Sequence, residues 1–165
     1  MSYVPPSPAN TTTSPAGLES FGKAQRRKDM TAIAIAHHVP YVAQAASTYW
    51  HDLSTKVERA VDADGPAFLN VLTDCPLGWG HEPVLSRHVI DAAVESCFWP
   101  LYEVVDGRYR LTHEPSHVPV EEWLRPQARF AHLFAEEGAP LVRQIQAQVD
   151  RDWADLLARC DEPAA

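Results

Sequence analysis

Cys75 stands where ligands and reaction centres are common in α/β proteins. It lies in the turn TDCPLGW at 73–79, directly after the run AFLNVL at 67–72, in which five of six residues are apolar. Such a run predicts a strand covered on both faces within a parallel sheet. Ligands of open α/β sheets bind beyond the carboxyl ends of the strands, where this turn would lie. The alternative is a packed thiol in an ordinary turn, the commoner situation for a single cysteine.

The neighbours of Cys75 suit a site of close approach. Pro76 has a fixed φ and no N–H, Gly78 lets the backbone approach a bulky group, and Trp79 could shield that group from water. A second interpretation makes Cys75 a nucleophile and His81 its base, across a turn of six residues. No nearby residue supplies a third orienting group, and Pro76 lacks the N–H that an oxyanion hole would use. We therefore favour ligand binding over nucleophilic catalysis.

Three stretches together resemble a known family. They are GPAFLNVL followed by CPLGW, KDMTAIAIAHHVPYVAQAA at 28–46, and FWPLYEVVDG at 98–107. In order and spacing they resemble the carboxyl-terminal part of the beta subunit of pyruvate:ferredoxin oxidoreductase (pyruvate synthase). That subunit binds thiamine diphosphate, and the resemblance covers about residues 10–125.

The resemblance implies a metal-binding role for Cys75. In the family, the cysteine of the C-P-x-G-W turn is the fourth ligand of a [4Fe–4S] cluster beside thiamine diphosphate, and Cys75 matches it. The other three cluster cysteines do not occur in this sequence, nor do the G-D-G segment and Asn-rich stretch that bind the diphosphate and Mg²⁺. The chain therefore resembles the last half of the subunit, beginning just beyond the metal–diphosphate motif. No other cofactor-binding residue and no catalytic residue is assigned.

The activity implied is that of a whole assembly. It converts pyruvate and coenzyme A to acetyl-CoA and CO₂, with electrons passing through [4Fe–4S] to ferredoxin. The implied partners are the other oxidoreductase subunits, the missing amino-terminal half and ferredoxin. The isolated chain is expected to be inactive and to hold no cofactor. Two alternatives remain: a noncatalytic interaction module that keeps only the fold, or a truncated gene product.

Composition limits the other possibilities. The chain has 165 residues, 45% apolar and 22% charged, which suits one globular domain. A net charge of −8 argues against nucleic acid and anionic membrane surfaces as partners. No apolar run approaches the ~20 residues of a membrane span, and the amino terminus lacks a signal-peptide layout. With three widely spaced cysteines and no disulfide framework, a cytoplasmic location is expected.

The chain divides into three parts. Residues 1–27 form an irregular proline-rich segment. The resemblance implies that residues 28–97 form the α/β carboxyl-terminal part of a thiamine-diphosphate-binding domain, and residues 98–165 are predicted to form a hairpin with a helical extension. The resemblance places the first segment beside the cofactor, where hydroxyls could line the pocket, although a solvated linker is the simpler interpretation. The hydroxyls concerned are those of Thr11, Thr12 and Thr13.

Local patterns in 28–97 predict a doubly wound α-β-α-β-α order. Asp29 can cap a helix over 30–37, and a strand follows at 41–45. Ser47 can cap a second helix, whose apolar stripe predicts a buried face. A third helix starts at Pro83 and ends near Cys97. The stripe of the second helix comprises Trp50, Leu53, Val57, Ala60 and Val61.

The remaining residues predict a hairpin and a long helix. Strands at 101–105 and 109–112 flank Asp106-Gly107, a strong turn signal, and this hairpin should extend the fold rather than join its parallel core. Pro119 opens a short helical turn. A helix over 140–159 carries an apolar stripe that must pack on this domain, on the missing half or on another subunit.

Other candidate residues favour structural roles. His37 and His38 are adjacent and point in different directions at a helix end. Pro115 prevents the helix that would bring His113 and His117 onto one face. Cys97 and Cys160 are expected to be packed or incidental thiols.

Overall fold

The computed structural model describes residues 9, 16–17, 20–22 and 28–161. Most of the predicted irregular segment lies outside these residues. The three candidate pocket threonines also lie outside them: Thr11, Thr12 and Thr13.

Strands and helices alternate through the first half of the described chain, and helices dominate the second. The helices are α1 (Met30–Ala36), α2 (Trp50–Asp62), α3 (Pro76–Trp79), α4 (Ser86–Glu95), α5 (Val120–Leu124) and α6 (Ala139–Asp161). The strands are β1 (Ala16–Gly17), β2 (Ser20–Phe21), β3 (Tyr41–Ala46), β4 (Ala67–Leu72), β5 (Tyr102–Val105) and β6 (Arg108–Leu111). Short 3₁₀ segments cover Pro83–Leu85, Ala128–Phe134 and Glu136–Gly138.

The main sheet has four strands in the order β4-β3-β5-β6. Strands β3 and β4 are parallel, as predicted, and β1 pairs with β2 in a separate antiparallel ladder. β5 pairs antiparallel with β3, so the expectation that the hairpin would stay outside the parallel core is wrong. The physical reason is that β3 has two bonding edges and β4 uses only one of them. The α/β fold with flanking helices and a helical tail is confirmed.

β3, not β4, is the strand covered on both faces. All six residues of β3 are buried, whereas β4 lies at the sheet edge with two exposed residues and four half-buried ones. The prediction that the run at 67–72 is fully buried is therefore wrong. An apolar run shows that a strand suits burial, but it does not show how many neighbours the strand has.

α1 and α2 cover opposite faces of the sheet. Thr31 of α1 donates a hydrogen bond to Gln44 of β3 and accepts one from Asn70 of β4. On the other face, Arg59 of α2 and Tyr41 of β3 both donate to Glu103 of β5. Successive residues of a strand point to opposite faces, so Tyr41 and Gln44 mark the two sides.

The two helices agree with the predictions to different degrees. α1 begins as predicted, since the Asp29 carboxylate accepts from the Ala32 amide at 2.9 Å. α2 begins at Trp50 after Tyr49, so the expected Ser47 cap is wrong. Its predicted buried stripe is largely exposed, with Val57 at 45% and Val61 at 79% of full exposure.

α6 packs its apolar stripe on this chain. The helix contacts α5, β6 and the 3₁₀ segments before it. Four residues of its predicted stripe are buried: Ile145, Val149, Trp153 and Leu156. Within the described residues, no helix combines the length and the apolar character needed to cross a bilayer.

Candidate functional site: the Cys75 turn

Cys75 lies three residues beyond the end of β4 and precedes the first residue of α3. Its thiol is exposed and accepts a hydrogen bond from the Gly78 amide, at 3.4 Å. The following helix is one turn long, and Gly80 ends it in the left-handed region at φ 71°. The predicted position of Cys75, beyond the carboxyl end of a parallel strand, is confirmed.

Gly78 brings the backbone close to the sulfur. A Cβ at this position would lie 3.0 Å from Cys75 Sγ, nearer than side chains normally approach. The absence of a side chain therefore keeps the amide within bonding distance of the thiol.

The turn is attached to a segment far along the chain. The Gly80 carbonyl accepts a hydrogen bond from the Ala128 amide at 2.9 Å. A Cβ on Gly80 would lie only 2.8 Å from the Ala128 Cβ, so the two backbones can approach only because residue 80 is glycine. The 3₁₀ segment Ala128–Phe134 thus forms the support on which the cysteine turn rests.

Arg129 is the functional candidate that the sequence did not indicate. Its guanidinium lies over the Trp79 ring at 4.1 Å, and its Nε donates to Gln127 Oε1 at 2.8 Å. Burial lowers the pKa of Arg129 to about 10, an effect that the charge of Cys75 opposes. The guanidinium remains positive at neutral pH and lies in the electrostatic range of the thiol. No spacing could have revealed this, because the residues belong to different elements.

His81 and Asp74 form a second pair beside the turn. His81 Nε2 lies 3.3 Å from Asp74 Oδ2, and the His81 side chain is fully buried. The two atoms are not aligned as a hydrogen bond, and neither has a hydrogen-bond partner among the described residues. His81 Nδ1 lies 3.0 Å from the Glu82 carbonyl oxygen. Asp74 therefore lies beside His81, but without a hydrogen bond it does not orient the imidazole ring.

The nucleophile and base interpretation gains no support from this geometry. The two ring nitrogens of His81 face Glu82 and Asp74, and the Cys75 thiol accepts from Gly78. A base must lie within hydrogen-bond reach of the proton that it removes. Cys75 is better placed to bind a ligand from outside the chain.

Several of the remaining candidates lie in contacts within the chain. Cys97 is buried, its Sγ lies 3.3 Å from His117 Nδ1, and burial raises the pKa of its thiol to about 11. His113 lies 2.8 Å from the Glu95 carboxylate. Within the described residues, no three His, Cys, Asp or Glu side chains come together as a metal site.

Cys75 fits one corner of an iron–sulfur cluster. Such clusters take thiolate ligands, and hydrogen bonds to the sulfurs tune their potentials. Cys75 offers an exposed sulfur that accepts from an amide donor, and the side chain of the neighbouring residue Leu77 is exposed. The three further thiolates of a four-cysteine site would have to come from outside the described residues.

Fold and site define an α/β protein that has a mixed sheet with flanking helices and an exposed cysteine beyond the carboxyl end of a parallel strand. No family model matches the chain. Among curated proteins, it is 44% identical over 149 residues to pyruvate synthase subunit PorB of Methanothermobacter thermautotrophicus, which is 90% of this chain and 50% of the relative. The chain is a homologue of the pyruvate synthase PorB subunits, so the resemblance noted in the sequence is confirmed.

Two further curated proteins match a similar share of the chain. PorB of Thermotoga maritima is 40% identical over 154 residues, covering 92% of this chain and 48% of the relative. Ketoisovalerate oxidoreductase subunit VorB of Pyrococcus furiosus is 31% identical over 151 residues, covering 88% and 47%. The chain spans about half the length of the curated relatives it matches.

Proposed function

We propose that this chain forms part of a 2-oxoacid:ferredoxin oxidoreductase that acts on pyruvate. It corresponds to the carboxyl-terminal half of the subunit that binds thiamine diphosphate. The homology to pyruvate synthase subunits supports the reaction, and the higher identity to PorB than to VorB favours pyruvate over a branched 2-oxoacid. The assembly forms acetyl-CoA from pyruvate and coenzyme A and passes the electrons to ferredoxin.

Cys75 carries this proposal. Its exposed thiolate would be one of four ligands to a [4Fe–4S] cluster, which relays single electrons. The Gly78 amide holds the sulfur in place, and the guanidinium of Arg129 packs on Trp79 of the same turn. Thiamine diphosphate and Mg²⁺ are bound by residues outside this chain. On this proposal, the chain alone binds no cluster and no thiamine diphosphate, and it is inactive.

The test is to isolate the complex that contains this chain. The chain is expressed with an affinity tag in its native organism and purified without oxygen, and bound iron and pyruvate-dependent ferredoxin reduction are measured. Coenzyme-A-dependent turnover with about four irons per relevant site supports the proposal.

Single cysteine variants identify the ligand. Cys75→Ser should remove most of the iron at this site and most of the electron transfer, because a hydroxyl binds iron far more weakly than a thiolate. Cys97→Ser and Cys160→Ser are the matched controls and should retain both. A complex with wild-type iron and turnover in Cys75→Ser would show that the cluster assignment is wrong. A complex without any oxidoreductase activity would favour the noncatalytic interaction module.

A further inference from the structure

Arg129 is a half-buried cation without a carboxylate partner in the part of the chain that the structure describes. None of the ion pairs between described residues includes it. Its Nε donates to Gln127 Oε1 at 2.8 Å, but that amide group carries no charge. A charge taken out of water is costly unless another group stabilises it. Arg129 therefore depends on a partner other than a carboxylate.

Three aromatic rings supply this stabilisation. The centre of the guanidinium lies 4.1 Å from the centre of the Trp79 ring, 4.8 Å from that of Phe130 and 5.8 Å from that of Trp123. The face of an aromatic ring attracts a cation, and Arg is the cation found there most often. The rings have no net charge, so they stabilise the guanidinium without cancelling its charge. Arg129 thus keeps an uncompensated positive charge.

Arg125, four residues earlier, has the opposite arrangement. Its guanidinium also lies on an aromatic ring, 4.3 Å from the centre of Phe134. However, Arg125 is exposed and forms an ion pair with Glu121. The carboxylate balances the charge, and the surrounding water screens its field. The two arginines therefore differ in whether their charge acts on groups farther away.

The uncompensated charge is held close to the cysteine turn. Trp79 ends the one-turn helix that Cys75 precedes, and the Ala128 amide, next to Arg129, donates to the Gly80 carbonyl at 2.9 Å. These two contacts hold the guanidinium in a defined place relative to the turn. Burial lowers the pKa of Arg129 to about 10, and the charge of Cys75 opposes this effect, so the two groups lie within electrostatic range.

We propose that Arg129 raises the reduction potential of the [4Fe–4S] cluster at Cys75 through the field of its uncompensated charge. The proposal rests on the proposed function, in which oxidation of the 2-oxoacid supplies the electron. Reduction adds one electron, and therefore one negative charge, to a cluster that its four thiolate ligands already make an anion. A fixed positive charge attracts the reduced form more strongly than the oxidised form, because the attraction is proportional to charge. The reduced form is therefore favoured.

The experiment measures the potential of the cluster in the complex purified without oxygen. Electron paramagnetic resonance at controlled potentials follows the signal that Cys75→Ser removes, which identifies the cluster at this site. In Arg129→Gln, the ratio of reduced to oxidised cluster at the wild-type midpoint should fall about tenfold, a shift of about 59 mV to lower potential for one electron. Arg129→Lys keeps the charge, and its ratio should stay within about twofold of wild type.

Arg125→Gln is the matched control. It removes one positive charge from a guanidinium that also lies on an aromatic ring but is already paired with Glu121. Its ratio of reduced to oxidised cluster should stay within about twofold of wild type, because the exposed charge is balanced and screened. Bound iron is measured in every variant, so that loss of the cluster is not mistaken for a change in its potential.

Gln127→Glu tests the same charge without removing Arg129. The new carboxylate lies at the position of the amide group that accepts from Arg129 Nε, so it balances the guanidinium. The potential should fall, as it does in Arg129→Gln, although the guanidinium keeps its place on Trp79. This variant decides the question if Arg129→Gln does not retain the cluster.

Two outcomes would overturn the proposal and leave the proposed function intact. One is a wild-type midpoint in Arg129→Gln or Gln127→Glu with the cluster retained. The other is an equal shift in Arg129→Lys and Arg129→Gln, because the position of the side chain and not its charge would then set the potential. A complex in which Cys75→Ser removes no signal would contradict the proposed function, and the proposal for Arg129 with it.

Discussion

The guanidinium of Arg129 lies 4.1 Å from the centre of the Trp79 ring. This contact joins the one-turn helix after Cys75 to a 3₁₀ segment some fifty residues later. Beside it, the Ala128 amide donates to the Gly80 carbonyl. The carboxyl-terminal part of the chain thus positions the cysteine turn and is not an appendage.

Arg129→Gln should loosen the cysteine turn. Loss of the cation–π contact should lower the free energy of unfolding by about 1–2 kcal/mol. The Gly78 amide should exchange faster, and denaturant titration with hydrogen exchange measures both. Arg129→Lys keeps the charge but loses the planar contact with Trp79, so an intermediate effect is expected. Equal exchange at Gly78 in all three proteins would contradict a positioning role.

Gly80→Ala should destabilise the chain more than Gly107→Ala. Both glycines have positive φ, at 71° and 81°, so both substitutions carry a backbone cost of about 1 kcal/mol. Only at Gly80 does the new Cβ meet another residue, at 2.8 Å from the Ala128 Cβ. The difference between the two free energies of unfolding measures how tightly the turn packs on its support. Equal losses of unfolding free energy in the two variants would show that the Ala128 segment moves aside without destabilising the protein.

Glu95 should make the stability of the chain sensitive to acid. Burial alone would raise its pKa, but hydrogen bonds from Ser116, Tyr49 and His113 lower it from 4.5 to about 2. A carboxylate whose pKa is lowered on folding stabilises the protein above its unfolded value and loses that effect as the pH falls. The stabilisation should therefore disappear between about pH 4.5 and pH 2.

Glu95→Gln tests this directly. At pH 7 the variant should be about 1–3 kcal/mol less stable than wild type, and the difference should shrink toward pH 2. Unfolding by urea at several pH values gives the comparison. Glu58→Gln, at an exposed residue of α2, is the control and should follow the wild-type pH profile. A difference in stability that stays the same at all pH values would show that Glu95 stabilises the chain through packing and not through its ionised carboxylate.

Lys56→Met should be strongly destabilising, although α2 is otherwise largely exposed. The Lys56 side chain is 1% exposed, and its Nζ donates to Asp52, to Thr112 and to the Gln44 carbonyl. Burial lowers its pKa, an effect that Asp52 opposes. Removing the ammonium leaves buried acceptors unpaired, so a loss of about 3 kcal/mol is expected. Lys28→Met, at an exposed residue, is the control and should change the stability little. A Lys56→Met variant as stable as wild type would show that the cost of burying the ammonium offsets its hydrogen bonds.

Local features of the sequence determined several elements correctly. Asp106 and Gly107 both have positive φ in the hairpin turn, as the dipeptide predicts. Asp29 caps α1, and the stripe of α6 is buried. Cys75 could be placed beyond a strand because an apolar run ended there. Each of these follows from residues within a few positions of one another.

The contacts that make the site depended on the tertiary structure. The apolar periodicity of α2 predicted a buried face, but the residue that α2 buries most completely is Lys56, and its two valines Val57 and Val61 are exposed. Periodicity identifies the apolar side of an element and not the partner that covers it. Arg129 reaches Trp79 from a different element, and no local pattern encodes such a pair. Only folding brings these residues together, because the contact depends on how the elements pack and not on their spacing in the chain.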